Sequence, residues 1–244
     1  MITRRGLLGA AAAALLTRPA AARGAPDGTG SWYGASGGGS RFFEVARGGY
    51  DGVIEDEGYA IPVIRADRLS PGLRRQVVPY DGPEAPGTIV VDTAARHLFL
   101  VQPGDAALRY GIGVGKQGFA WSGIATVARK AKWPAWRPPE EMMQRRRDLP
   151  DFVAGGPANP LGARALYLFQ GERDTLYRIH GTNEPGSIGR AVSSGCIRLL
   201  NQDVHDLYER VPVGSLVKVY GPAAAPRGPE PRGAGAPARS WWME

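Results

Sequence analysis

One stretch of the chain, residues 180–199, places the strictest demands on the fold. It contains the only cysteine of the protein, Cys196, and one of its three histidines, His180. An alternating run before His180 predicts a strand, and a helical pattern with Asn201 as its N-cap extends to Val211. The loop between His180 and Cys196 is rich in Gly, Ser and Pro. Side chains at the ends of rigid elements can be held in place while such a loop shapes a pocket.

A cysteine and a histidine in this setting are candidates for a nucleophile and its base. The thiolate is the attacking species, and a thiol with the ordinary pKa of ~8.5 is mostly protonated at neutral pH, so a base must assist it. The alternative is a small buried side chain, since lone cysteines often pack in cores. The polar turn of Ser193, Ser194 and Gly195 disfavours burial. Such a turn can direct the backbone N–H groups of Gly195 and Cys196 toward a carbonyl oxygen, as an oxyanion hole does.

The first 22 residues predict export. They contain Arg4-Arg5, a short Ala/Leu run and Ala20-Ala21-Ala22, which is typical of a cleavable twin-arginine signal peptide and indicates the periplasm. The run is shorter than the ~20 residues that span a bilayer, although an uncleaved anchor is the alternative. Cysteines in an oxidising compartment normally pair, and a single one has no internal partner. The compartment therefore favours a chemical role for Cys196.

The net charge of the chain says little about which partners the protein binds. The formal net charge is +7, and the three arginines of residues 1–22, which include no acid, account for +3 of it, so +4 remains after cleavage. This modest excess suits an anionic wall surface weakly, and no basic motif interleaved with aromatics indicates nucleic acid. No His/Cys/Asp cluster has metal-ligand spacing. We therefore expect no metal, no cofactor and no nucleic-acid partner.

The strand pattern divides the chain. Residues 23–85 predict a Gly-rich linker and a lead-in segment, which either forms a small subdomain or packs on the main domain. Short strands at close spacing, with modest helices, predict a mainly β domain at 86–220. The strands are expected at 88–92, 97–101, 108–114, 124–131, 165–169 and 215–220. The tail at 221–244 is rich in Pro, Gly, Ala and Arg, which predicts disorder.

Several motifs carry a resemblance to a known family. These are His180-Gly181-Thr182, Ser187-Ile188-Gly189 and Ser193-Ser194-Gly195-Cys196-Ile197-Arg198-Leu199, with further matches at 115–121, 132–139 and 159–166. The sequence resembles the L,D-transpeptidases, the YkuD-type cysteine enzymes of bacterial peptidoglycan, over roughly residues 86–220. The resemblance implies a β-sandwich or barrel-like catalytic domain.

The resemblance also implies roles for individual residues. Cys196 becomes the nucleophile and His180 its base, with the backbone carbonyl of Gly181 orienting the imidazole. Many relatives have a histidine before the Gly-Cys pair where this chain has Ser194, so His180 alone remains as the base. Ser193 and Ser194 are candidates for substrate contacts.

Arg198 follows the nucleophile closely in the sequence. Its guanidinium suits a substrate carboxylate, and the alternative is an ion pair with Asp203 or Asp206.

A long proline-punctuated loop, 133–161, is typical of a lid or a binding loop. In the family this insertion borders the catalytic cleft, so Trp133 and Trp136 are candidates for lining the substrate channel. The alternative is that both rings anchor the loop to the core. A short helix is predicted to open at Pro138-Pro139-Glu140.

Three functions remain open at this point. The first is acyl transfer from a peptidoglycan stem peptide, through a thioester on Cys196, to an amine on another stem or on a wall protein. The second gives the same thioester to water, which makes the protein a carboxypeptidase or amide hydrolase. The third is a non-catalytic wall-binding module, which the presence of both His180 and Cys196 disfavours.

Overall fold

The computed structural model describes residues 49–116, 121–145, 147–193 and 195–221. The predicted signal peptide, most of the Gly-rich linker and the tail beyond Gly221 lie outside the described residues. Within those residues there is no helix that is both long and apolar enough to cross a membrane.

Strands dominate the described residues, which confirms the mainly β prediction. The first seven strands are β1 (Tyr50–Asp56), β2 (Tyr59–Ile64), β3 (Gln76–Pro79), β4 (Ile89–Asp92), β5 (His97–Gln102), β6 (Ala106–Gly111) and β7 (Val114–Gly115). The other six are β8 (Gly123–Lys132), β9 (Arg164–Gln170), β10 (Arg173–His180), β11 (Ala191–Ser193), β12 (Ile197–Arg198) and β13 (Leu216–Tyr220). The helices are α1 (Glu140–Arg145) and α2 (Asn201–Arg210), with short 3-10 turns at Ala66–Arg68, Pro71–Leu73 and Pro185–Ser187.

Nine strands form the main sheet, in the order β12-β10-β9-β8-β13-β4-β5-β6-β3. Its neighbours are antiparallel except for two parallel pairs, β10 with β12 and β13 with β4. Two smaller sheets pair β1 with β2 and, in parallel, β7 with β11. The β4–β5 and β9–β10 hairpins are those that the alternating sequence predicts.

The larger hydrophobic core lies on the face of the main sheet that includes residues of α2, and a smaller cluster around Val90 and Phe99 lies on the other face. Alternate residues of neighbouring strands, such as Leu166 and Leu168, are fully buried against Val204 and Leu207 of the helix. Their burial follows from the two-residue repeat of a strand and the three-to-four-residue repeat of a helix. This packing fixes which strand residues face the opposite side.

The prediction that Asn201 caps α2 is wrong. Leu200 occupies the N-cap position, without a side-chain cap, and Asn201 is the first helical residue. The Asn201 side chain is buried, and its Oδ1 accepts hydrogen bonds from the backbone N–H groups of Ala163 and Thr182. The side-chain oxygen of Asn201, which would cap the helix by accepting from its first N–H groups, instead accepts from the N–H groups of these two distant residues.

The lead-in segment packs on the main domain. Strand β3 pairs with β6 at the edge of the main sheet, so that sheet begins before the predicted boundary at residue 86. The β1–β2 hairpin lies against α2, where the Gln202 amide donates to the Ile64 carbonyl (3.2 Å) and accepts from its N–H (2.5 Å).

A buried ion pair fastens the same hairpin to β9. The guanidinium of Arg164 is 1% exposed and donates to both carboxylate oxygens of Asp56, at 2.5 and 2.7 Å. The Trp133 indole N–H donates to the same carboxylate at 2.8 Å. The hydrogen bonds from Arg164 are the main reason that the pKa of Asp56 lies below its usual value.

We predict that Asp56→Ala destabilises the protein by about 3–5 kcal/mol, because the Arg164 guanidinium would remain buried without its counter-ion. Urea denaturation followed by circular dichroism measures this loss. Asp67→Ala is the matched control, since Asp67 pairs with Arg65 at an exposed position and its loss should leave the denaturation midpoint unchanged. Equal effects of the two substitutions would contradict the role of the Asp56–Arg164 pair.

Candidate active site

The parallel pairing of β10 and β12 brings the predicted site residues together. Ile179 lies beside Ile197 and His180 beside Arg198, and both isoleucines are buried in the core. Because side chains alternate between faces, His180 and Arg198 lie on the face opposite the two isoleucines, and the same alternation continued by one residue places Cys196 there. Strand spacing and rise place the Cα atoms of His180 and Cys196 roughly 8 Å apart, which their side chains can bridge.

Glycines allow the chain to approach Cys196 closely. Gly195 has φ 123°, a conformation that side chains with a Cβ rarely adopt. Gly113 makes two backbone hydrogen bonds of 2.8 Å with Arg198, and a Cβ on it would lie 2.6 Å from the Ser187 carbonyl oxygen. Strand β12 is therefore held between β10 and Gly113, and Cys196 directly precedes it in the chain.

The imidazole of His180 is buried and oriented. Its Nδ1 lies 2.6 Å from the carbonyl oxygen of Gly181. Since a carbonyl only accepts, Nδ1 carries the proton, and Nε2 is the basic nitrogen. Burial lowers the pKa of His180 to about 3, and the charge of Arg198 adds to this, while the Gly181 hydrogen bond opposes it.

Asn201 stabilises that orientation through the peptide unit between Gly181 and Thr182, a role that the sequence interpretation missed. The Gly181 carbonyl and the Thr182 N–H belong to one peptide unit, whose carbonyl accepts from His180 and whose N–H donates to Asn201 Oδ1 at 3.1 Å. A Cβ on Gly181 would collide with that oxygen. The Asn201 amide thus fixes the plane of the peptide that orients the His180 ring. The sequence signal was an Asn at the start of a helix, which favours a cap instead.

Cys196 is partly exposed, and burial of the thiol raises its pKa. A hydrogen bond from the Arg178 backbone and the charges of Arg178 and Arg198 act in the opposite direction. Together with the low pKa of His180, this favours a neutral thiol and a neutral imidazole at pH 7. Such a pair can transfer its proton during nucleophilic attack.

Arg198 forms an ion pair with a residue that the sequence interpretation did not consider. Its Nη1 lies 2.8 Å from Glu184 Oε2, and the Glu184 side chain is 67% exposed. The alternative partners, Asp203 and Asp206, instead face Arg75, at 3.8 and 3.3 Å. The alternative of an ion pair with a nearby acid is thus what the structure shows, but the acid is Glu184, because α2 directs the carboxylates of Asp203 and Asp206 toward the lead-in segment.

The two predicted serines lie beside the nucleophile in the sequence. Ser193 ends β11 and pairs with Gly115 of β7, while Ser194 lies outside the described residues. Their contacts with substrate stay predictions.

The two tryptophans of the long loop differ in their surroundings. The Trp133 ring is 8% exposed and packs with Ile61 and Ala163, which is the anchoring arrangement. Trp136 is half-buried and exchanges two backbone hydrogen bonds of 2.8 Å with Val153. A channel-lining role for Trp136 stays a prediction.

No three or more His, Cys, Asp and Glu side chains among the described residues form a group that could hold a metal ion.

The sequence matches one family along most of the main sheet. The family model of the L,D-transpeptidase catalytic domain, YkuD, matches residues 86–219. The chain belongs to the L,D-transpeptidase family. This domain contains β4 to β13 and both residues of the candidate dyad.

Two curated relatives of this L,D-transpeptidase domain come from Escherichia coli K12. The probable L,D-transpeptidase ErfK/SrfK is 39% identical over 54% of this chain and 43% of its own length. The probable L,D-transpeptidase YbiS is 38% identical over 53% of this chain and 43% of its own length. The chain thus spans less than half the length of these relatives.

Solved structures superpose only in part. One from Brucella melitensis, described as a probable carnitine operon oxidoreductase, is 48% identical, covers 61% of this chain and 94% of its own, and has a TM-score of 0.43. An L,D-transpeptidase from Mycobacterium smegmatis is 18% identical, covers 69% of this chain and 66% of its own, and has a TM-score of 0.42.

We predict that the His180 ring stays neutral from pH 8 down to pH 5, because burial and the nearby arginines disfavour its charged form. Proton–carbon NMR of the imidazole resonances measures this, with His180→Gln used to assign the signal among the three histidines. The same signal in urea-unfolded protein should titrate near pH 6.5. A midpoint above pH 5 in the folded protein would contradict the burial argument.

Proposed function

We propose that this protein is an exported, cysteine-dependent L,D-transpeptidase that acts on peptidoglycan stem peptides in the periplasm. The observation that carries the proposal is the shared face of His180 and Cys196 on the β10–β12 pair, with the Gly181 carbonyl 2.6 Å from His180 Nδ1. This arrangement supplies a nucleophile, a base and an orienting acceptor, as cysteine acyl transfer requires.

Acylation begins with a proton transfer. His180 Nε2 accepts the proton of the Cys196 thiol as the sulfur attacks the carbonyl of the stem-peptide amide. The backbone N–H groups of Gly195 and Cys196 stabilise the oxyanion of the tetrahedral intermediate. The intermediate collapses to a thioester, and the departing amine of the terminal D-alanine takes the proton from His180. An acceptor amine then attacks the thioester and regenerates the thiol.

The low pKa of His180 suits the second half of acylation. An imidazolium that forms in a buried site is a strong acid, so it readily protonates the departing amine. The same burial weakens the imidazole as a base, and the proton therefore moves together with the attack on the carbonyl. The Gly181 hydrogen bond partly offsets this weakness, since it favours the charged ring.

Arg198 is the candidate site for a substrate carboxylate. Its side chain is only 18% exposed, whereas that of its partner Glu184 is 67% exposed, so the Glu184 carboxylate can move into solvent. A carboxylate of the stem peptide can therefore replace Glu184 at modest cost. A planar guanidinium suits such an exchange because it binds carboxylates with two parallel hydrogen bonds.

The acceptor determines the product. An amine on a neighbouring stem gives a crosslink, an amine on a wall protein gives attachment, and water gives the product of a carboxypeptidase. A neutral dyad is compatible with each of these, so the product has to be measured directly.

We predict that the protein forms a covalent adduct with a disaccharide-tetrapeptide, with loss of D-alanine, and that Cys196→Ala forms none. Intact-protein mass spectrometry detects the adduct, and mass spectrometry of the soluble products identifies the acceptor. Crosslinked dimers indicate transpeptidation, whereas tripeptide alone indicates hydrolysis. Full turnover by folded Cys196→Ala would exclude the proposed mechanism.

We predict that Arg198→Gln raises the KM for stem peptides by about 10-fold or more, since it removes a charge-assisted hydrogen bond. Glu184→Gln should lower KM about 2- to 5-fold, because it removes the competing carboxylate. Steady-state kinetics with stems of free and amidated carboxylate measure both effects. Glu172→Gln, at another exposed acidic position, is the matched control. A higher KM for Glu184→Gln would mean that Glu184 orients Arg198 instead of competing with substrate.

A further inference from the structure

We propose that Arg178 is a positioning residue that stabilises the thiolate of Cys196, and that Asp174 sets both the orientation and the effective charge of its guanidinium. This inference rests on the proposed function, because it assigns a task to a residue beside the proposed nucleophile. It is carried by the geometry of β10.

The strand register brings Arg178 to the site. Arg178 precedes His180 by two residues, so it belongs to the same face of β10. Ile179 pairs with Ile197, and this register continued one step back places Arg178 opposite Cys196, consistent with the hydrogen bond from the Arg178 backbone to Cys196. The Arg178 side chain is 14% exposed, so its charge acts in a partly desolvated environment.

An irregular strand holds the guanidinium in one orientation. Arg178 donates to both oxygens of Asp174, at 2.6 and 2.7 Å, and to the Tyr177 carbonyl at 2.9 Å. In a regular strand, residues four apart are separated by about 13 Å, so this bidentate pair could not form. The register of β10 shifts between Asp174 and Arg178, which brings the two side chains together.

The shift requires an unfavourable backbone conformation. Leu176 has φ 64°, in the left-handed region, and its side chain is 74% exposed. A leucine with both properties costs free energy that a regular strand would avoid. Asp174 Oδ1 accepts from the Leu176 N–H at 2.8 Å and so stabilises the turn. The irregularity thus maintains the Asp174–Arg178 pair.

An aromatic ring completes the support. The Arg178 guanidinium lies 4.5 Å from the centre of the Tyr167 ring, and that of Arg129 lies 3.6 Å from the same centre. Tyr167 pairs with both arginines across neighbouring strands. Arg178, unlike the exposed Arg129, has a bidentate carboxylate partner and lies beside the nucleophile.

The charges around the Cys196 thiol influence how readily it ionises. Arg178 and Arg198 are the cations that lower the pKa of Cys196, against the burial that raises it. His180 is neutral at working pH, and the Tyr177 phenol, whose pKa burial raises, is also neutral. Arg178 additionally provides a backbone hydrogen bond that any side-chain substitution leaves in place. Its side-chain charge can therefore be tested separately.

The single cysteine makes the test direct, because alkylation by iodoacetamide reports one thiol. We expect Arg178→Met to raise the midpoint of the pH–alkylation profile by about one unit and Arg178→Lys to restore most of it. Asp174→Asn should lower the midpoint, since it removes the opposing charge but keeps a hydrogen-bond acceptor. Arg129→Gln, which alters the same aromatic stack, should leave the midpoint unchanged.

Thermal unfolding of each variant ensures that only folded protein is compared. An unchanged midpoint in folded Arg178→Met, or a shift equal to that of Arg129→Gln, overturns the proposal. A raised midpoint in Asp174→Asn also overturns it. Alkylation uses no stem peptide, so these outcomes are independent of transpeptidation. A protein that lacks activity on stems but shows the expected shifts would contradict the proposed function alone.

Discussion

Burial of Ile179 and Ile197 side by side in the core is the constraint on which the site depends. Each isoleucine is flanked by polar residues, and the two-residue repeat of a strand directs all of those to the other face. A slip of one residue in β12 would bury Cys196 and Arg198 and expose Ile197. The hydrophobic core therefore determines the register of the site.

Two buried groups make the stability of the fold depend on pH in opposite directions. His180 is held neutral with a pKa of about 3, so the stability that this provides is present above pH 6.5 and is lost as the pH falls from 6.5 toward 3. Burial raises the pKa of Asp203 to about 7, so its contribution decreases as the pH rises from about 4 to 7. The two contributions offset each other between pH 4 and 6.5.

Arg198, which lies beside His180 in the register, adds to the depression of the His180 pKa and also pairs with Glu184.

Local patterns predicted much of the fold, whereas contacts between distant segments were beyond them. Short runs of apolar residues identified β4, β5, β8, β9 and β13, and β4, β5 and β9 are buried along most of their length. The helix of residues 201–210 was also predicted, but the use of Asn201 was not, since its partners lie 38 and 19 residues away. The shift in β10 was hidden for another reason: a leucine in the left-handed region has no sequence signature. The glycine of the Ser-Gly-Cys turn, by contrast, indicated its unusual backbone directly.

The β1–β2 hairpin is linked to the site by hydrogen bonds through β9. This hairpin precedes the residues that the family model matches. Asp56 binds the guanidinium of Arg164, and the Arg164 carbonyl accepts a 3.0 Å hydrogen bond from the Gly181 N–H. The carbonyl of Gly181 in turn orients His180. A strand residue with a buried charge has one well-defined position only while its counter-ion is present. The family domain at 86–219 therefore contains both His180 and Cys196, while the residues before it contribute to the position of the His180 ring.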